Sequence, residues 1–176
     1  VLLNAAISGD PATKLMALAA LANFSSERAL ATLSTAASDP DDQVSSSAVT
    51  FLSTRREEEA TEVLVELLSI ADLAEKAKAA LLVPTETRAS GLLVALQSAD
   101  HDLAGVLVSI LSRLQRPEAR VALLSAMKLD NVAARKAAAP VLSARRDREM
   151  TSILQEASQN DPDEEVRHIC TLLLGQ

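Results

Sequence analysis

The chain has 176 residues, a formal net charge of −7 and 48% hydrophobic residues, with aromatics at 1%, no Trp or Tyr and a single Cys. That is enough apolar material for a core of Leu, Ala, Val and Ile, and it excludes an internal disulfide. The acidic balance, with cations scattered among carboxylates, excludes the basic stripe that nucleic acid requires, and no apolar run is long enough to span a bilayer.

Only four Gly and six Pro interrupt the Ala- and Leu-rich sequence, so helix is predicted throughout and strand nowhere. Val1-Leu2-Leu3 reads as the tail of an earlier helix. A start at Val rather than Met reads as a processed chain or part of something longer. Asp10-Pro11 opens the next helix and is followed by a predicted helix over 27–38. Asp39-Pro40-Asp41-Asp42-Gln43-Val44 opens another, with Asp expected at the N-cap, Pro at the first helical position and further acids against the helix dipole. A helix is predicted over 56–70, where Val63, Leu64, Leu67 and Leu68 form an apolar stripe and Thr54 with Glu57 reads as a capping box. Further helices are predicted around Leu73, over 86–98, around Leu103, over 117–128, around Ala134 and over 146–159. Pro84 and Pro140 are expected to end or kink theirs. Asp161-Pro162-Asp163-Glu164-Glu165-Val166 repeats the earlier start and opens the last helix.

The elements recur. Leu15, Val44, Leu73, Leu103, Ala134 and Val166 align with steps of 29, 29, 30, 31 and 32 residues. Ala19, Ala48, Ala77, Leu107, Ala138 and Cys170 follow one turn later, and Asn23, Leu52, Leu81, Leu111, Leu142 and Leu174 a turn beyond. Leu52-Ser53-Thr54-Arg55-Arg56-Glu57 is echoed 90 residues on by Leu142-Ser143-Ala144-Arg145-Arg146-Asp147. A helix pair of this size cannot bury both of its apolar faces, whereas stacked pairs share a continuous core. The expectation is an all-α solenoid of about six antiparallel helix pairs, elongated and curved, forming one domain over 1–176.

Val166-Arg167-His168-Ile169-Cys170-Thr171-Leu172-Leu173-Leu174-Gly175, preceded by Asp161-Pro162-Asp163, resembles the second helix of the short HEAT repeats typified by phycobilisome lyases. The family position for Arg holds Met16, Ser45, Ala74, Ala104, Arg135 and Arg167. The resemblance therefore implies an Asp to Arg ladder between repeats only near the C-terminus, with cohesion elsewhere left to apolar packing. HEAT repeats of this kind serve scaffolds, chaperone-like subunits, chromophore lyases and a few enzymes, so the fold does not choose among them.

Catalytic chemistry finds little to work with. His101 stands in an ordinary helix start, Ser98-Ala99-Asp100-His101-Asp102, His168 is expected on the surface, and Cys170 replaces Ala on the buried stripe. Two His and one Cys at these spacings make no zinc pair. The four Gly stand apart, so there is no phosphate-cradling loop. The iron-binding HEAT hydroxylases carry repeated His-Glu pairs, and this chain has none. A base-excising groove would need cations and aromatics it lacks, and a tetrapyrrole would find only Phe24 and Phe51. The chain is accordingly expected not to be an enzyme, with no catalytic, cofactor or metal site, and to be cytoplasmic in the absence of a signal-like stretch.

Protein binding fits the residues best. The second helix of each pair is expected to line the concave face, carrying Ala17, Ser46, Glu75, Gly105, Lys136 and His168 with an apolar floor of Leu21, Thr50, Ala79, Ser109, Pro140 and Leu172. The alternative is that several of these lie between helices and the helical wheel is off by a position. Ser46, Glu75, Arg135, Lys136, Arg167 and His168 are the predicted partner-binding residues, the last four as a cationic patch. Arg55, Arg56, Arg145 and Arg146 form two basic corners, read as charge compensation with Glu57 to Glu59 and Asp147. The expected function is a scaffold that holds a protein partner, neither nucleic acid nor membrane, along its concave face. The alternative is a lyase-like or chaperone-like subunit that handles a cofactor or an apoprotein.

Overall fold

An Ala- and Leu-rich chain punctuated by short acidic turns gives helices joined by tight connections, and the computed structural model, which describes residues 1–145 and 147–175, has this form along its length. It divides into two compact units, Val1–Arg88 and Ala89–Gln176. The first contains α1 (Leu2–Ser8), α2 (Pro11–Leu21), α3 (Glu27–Ala37), α4 (Asp42–Ser53), α5 (Glu58–Glu66), a 3-10 turn (Leu67–Ser69) and α6 (Ala74–Leu81). After α7 (Arg88–Leu96), the second contains α8 (His101–Arg113), α9 (Pro117–Ala126), α10 (Val132–Ala144), α11 (Arg148–Asn160) and α12 (Glu164–Leu174). No strand occurs among the described residues.

In the first unit α1 packs on α2, α3 on α4 and α5 on α6, while α2, α4 and α6 stand side by side. Leu18, Leu33, Leu52, Leu64 and Leu81 are fully buried between the two layers, with Ala29, Ala37, Ala48, Ala60 and Ala77 allowing close approach. Each buried Leu contributes about 2 kcal/mol. Neither Phe belongs to this core: Phe24 is 54% exposed and Phe51 half-buried. The free carbonyls at helix C-termini, carrying partial negative charge, are met by arginines. Arg55 donates from Nη2 to Phe24 O at 2.9 Å, just past α2. Arg88, the last residue of the unit, donates from Nη2 to Ser53 O at 2.8 Å, at the end of α4.

In the second unit α8, α10 and α12 stand side by side, with α9 against α8 and α10, and α11 against α10 and α12. Leu107, Leu111, Leu123, Leu142 and Leu154 fill it. Arg145 repeats the role of Arg55, donating to Ser112 O at 2.6 Å near the end of α8. The echo 90 residues apart is thus a joint: each Arg reaches a carbonyl 33 residues earlier, Arg55 to Ala22 and Arg145 to Ser112.

Several expectations change in detail. Asp10 caps α2 with Pro11 at its first position, as predicted. Asp39 and Asp161, however, are not N-caps: α4 and α12 are capped two residues later by Asp41 and Asp163. The earlier carboxylate instead holds the turn, accepting the amide of Asp41 or Asp163 at 2.9 Å. Thr54 and Glu57 form no capping box. Thr54 ends α4, its hydroxyl donating to Phe51 O, and the Glu57 carboxylate accepts from Arg55 and from the Arg56 amide. α10 runs through Pro140 to Ala144, whereas α6 stops before Pro84.

The first repeat is misaligned by two. Ala17 and Leu21 are buried and Ala19 is exposed, so 13, 17 and 21, not 15, 19 and 23, correspond to Val44, Ala48 and Leu52. Lys14, rather than Met16, then occupies the position of Arg135.

Candidate partner-binding face

The corrected register decides which side chains each unit presents. Lys14 Nζ lies 2.6 Å from Asp39 Oδ2, both largely buried. In the second unit Arg135 makes the equivalent contact, donating from Nε to Asp161 Oδ2 at 2.8 Å and from Nη2 to Oδ1 at 2.9 Å. The ladder therefore exists near the N-terminus as well as the C-terminus, with Lys replacing Arg in the first repeat. The Lys14 ammonium, with the Asp41 amide, holds the Asp39 carboxyl below its usual range.

In the first unit the outward positions of the second helices are Leu15, Met16 and Ala19 on α2, Ser46, Ser47 and Thr50 on α4, and Glu75, Lys76 and Ala79 on α6. Met16 is 69% exposed. Between α4 and α6 lies a hollow of about 330 Å³ lined by Ser46, Val49, Thr50, Ser53, Lys76, Ala79, Ala80 and Val83. A second hollow of about 420 Å³, lined by Asp42, Gln43, Ser46, Ser47, Thr50 and Phe51, shares Ser46 and Thr50 with the first. Ser46 is brought into this face, and Glu75 stands at its rim, bonded to Lys78 at 2.6 Å.

In the second unit the predicted cationic patch is not assembled as expected. Arg135 is buried, its guanidinium committed to Asp161 and, through Nη1, to Leu129 O and Asp130 O at 2.8 and 2.9 Å. A side chain so enclosed offers nothing to a partner. Lys136 is bonded to Glu165 and lies 3.8 Å from Asp163; the Glu165 contact is the main reason its pKa is raised. Arg167, half-buried, donates to Asp161 O at 2.6 Å and Pro162 O at 3.2 Å. His168 is exposed.

Of the basic corners, Arg55 is turned inward, whereas Arg56 and Arg145 are exposed. Arg55 is buried and pairs with Glu57 at 2.9 Å, Arg56 lies 3.9 Å from Glu86, and Asp147 pairs with Arg120 rather than Arg145. Arg146 lies outside the described residues. Arg88 carries no mark in the sequence: it follows Thr85-Glu86-Thr87 within the helix predicted over 86–98, and it is the first residue of α7. Yet it is 1% exposed, donates also to Thr61 Oγ1 at 3.0 Å and Val83 O at 3.3 Å, and has its pKa lowered by burial to about 10.

His101 is exposed at the first residue of α8, and Cys170 is buried, its thiol pKa raised by that burial. Among the described residues no three His, Cys, Asp or Glu side chains gather to hold a metal, and no helix is long and apolar enough to cross a membrane.

Solved structures with a similar chain path include human deoxyhypusine hydroxylase in complex with glycerol, at 20% identity over 99% of this chain and 71% of that one, with a TM-score of 0.46. Two designed armadillo repeat proteins also match over 99% of this chain and 97% of theirs. One, made for modular peptide recognition, is 17% identical with a TM-score of 0.39, and the other is 18% identical with a TM-score of 0.38. The expectation that the chain is not an enzyme is withdrawn, because the first of these structures is that of an enzyme. No curated protein matches the chain. The family model described as HEAT repeats matches residues 1–82 and 89–175, and with that match over nearly all of its length the chain belongs to the HEAT-repeat family.

Proposed function

We propose that this HEAT-repeat chain is a scaffold that holds a protein partner, and that the face built by α2, α4 and α6 in the first unit takes a helix or extended segment of that partner. The observation that carries the reading is the pair of hollows flanking α4, lined by the small side chains Ser46, Thr50 and Ala79 and by Val83 and Phe51, with Met16 exposed on the neighbouring α2. Small side chains let a partner backbone approach closely, and the neighbouring apolar groups supply surface to bury. Of the residues first singled out, Ser46 and Glu75 belong to this face. Lys136 and His168 are proposed as contacts of the second unit, and the half-buried Arg167 as a lesser one.

A photo-crosslinking residue at Thr50, with a matched one at Glu62 on α5 as control, tests this in lysate of the source organism. Crosslinks to one protein from position 50, absent from position 62 and lost when Ala79→Arg fills the hollow, are the expected result. Equal labelling from both positions counts against the face.

A further inference from the structure

The first unit is charged very differently from the second. Val1–Arg88 contains thirteen acidic and seven basic residues, a net charge of −6, whereas Ala89–Gln176 contains eleven and ten, a net charge of −1. Part of that excess stands at the rim of the hollows beside α4. Asp42, in the first turn of α4, lines one of them with its side chain 87% exposed, and Glu75, in the first turn of α6, is 85% exposed. The Lys76–Asp42 contact at 2.6 Å brings the two helix starts together, and Asp72, also exposed, lies two residues before α6, ahead of its N-cap Leu73. Asp42 and Glu75 are paired with the partly exposed Lys76 and Lys78. Such pairs contribute little, so a competing cation can replace them at small cost. At the opposite end of the same helices Thr54 and Val83 carry no charge, and Thr54 is followed by the buried Arg55 and by Arg56, which lies 3.9 Å from Glu86.

We propose that the partner segment seated on this face is a cationic amphipathic helix, its apolar side against Thr50, Ala79 and Val83 and its basic residues over Asp42, Asp72 and Glu75. This rests on the docking reading above and names the chemistry of its occupant. An acidic helix would meet the same rim with like charges, and a neutral one would gain nothing from it.

Fluorescence anisotropy with two labelled peptides of about 18 residues, long enough to present several turns, tests it. Both have the same Leu face, one with Lys and the other with Glu on the polar side. The Lys peptide is expected to bind at least about tenfold more tightly at about 0.05 M salt and to lose most of that advantage at about 0.5 M. Asp42→Asn with Glu75→Gln should weaken it by about fivefold, whereas Glu62→Gln with Glu66→Gln, which removes the same charge from α5, should leave it within about twofold. Thr50→Arg, which fills the hollow, should weaken either peptide. Equal binding of the two peptides that remains sensitive to Thr50→Arg overturns the cationic partner and leaves the docking face standing. Equal weakening by the α4/α6 and α5 variants likewise overturns it, since attraction would then follow net charge alone. Failure of both peptides to bind, or binding indifferent to Thr50→Arg, overturns both.

Discussion

The two units use the same acidic turn in different ways. Asp39-Pro40-Asp41 in the first and Asp161-Pro162-Asp163 in the second each place one Asp to hold the turn and the other to cap the following helix. The base that reaches the turn differs. Arg135 binds Asp161 through two nitrogens and two carbonyls through a third, with side chains 6% and 5% exposed, whereas Lys14 reaches Asp39 through one ammonium at 18% and 11%. A planar guanidinium satisfies several acceptors at fixed angles and tolerates burial; an ammonium is a hydrated point charge that needs water nearby. The second unit thus closes its joint around a buried, directional pair, and the first keeps a wetter and more replaceable one. The acids follow the same division: Arg120 serves Asp147 and Glu149 in the second unit, while the first carries the larger acidic excess.

The largest test of this contrast is Arg135→Ala, which strands a buried Asp161 carboxylate and should cost about 3–5 kcal/mol in denaturant unfolding. Arg135→Met combined with Asp161→Leu should recover much of that, because no charge is then left without a partner. If the double variant is as damaged as the single one, the pair is not the source of the loss. Next in size is Arg88→Met. It leaves Ser53 O at the end of α4, Thr61 Oγ1 and Val83 O without their donor, and should cost about 2 kcal/mol by the same measurement.

Lys14→Ala should cost about 1 kcal/mol or less, several-fold below its counterpart Arg135→Ala; equal losses would break the comparison. The pH dependence sharpens it. Because the folded Asp39 carboxyl is held below its unfolded value by Lys14 and the Asp41 amide, its contribution is complete above the ordinary carboxyl range and fades as pH falls through the lowered folded value. The stability gap between the native chain and Asp39→Asn should therefore be constant from about pH 7 to about pH 5 and close below about pH 4. The smallest effect is expected on the docking face, where Thr50→Arg should change stability by no more than about 0.5 kcal/mol while altering binding.

Much of the fold was legible because its signals are local. Acidic helix starts, an approximately thirty-residue period and an Ala- and Leu-rich composition point to paired helices without any knowledge of how they pack. The first repeat was misread for a physical reason. From Leu15 to Leu21 every residue of α2 is apolar, so spacing cannot tell the buried side from the exposed one, and only Lys14, by its charge, marks the register. The Asp-Pro pair was legible as a helix start but not as a two-residue division of labour, since either Asp could serve as the cap. Of the residues predicted to bind a partner, Ser46 lines both hollows beside α4, whereas Arg135 was mistaken for a surface cation because nothing in Ala134-Arg135-Lys136 distinguishes the side chain turned inward from its neighbour.

The sequence by itself determined the helices, their pairing and their membership of a repeat family, because capping, propensity and periodicity act over a few residues and need no distant partner. Only the tertiary structure decided where the charges go. Arg88, Arg55 and Arg145 turn back to carbonyls some 31 to 35 residues away. Arg135 is buried on an Asp 26 residues ahead, and Lys136 beside it stays near the surface. A guanidinium reads the same in the chain whether it will face water, a carboxylate or the end of a helix, and the choice is made by which carbonyls and carboxylates the packed repeats bring within its reach.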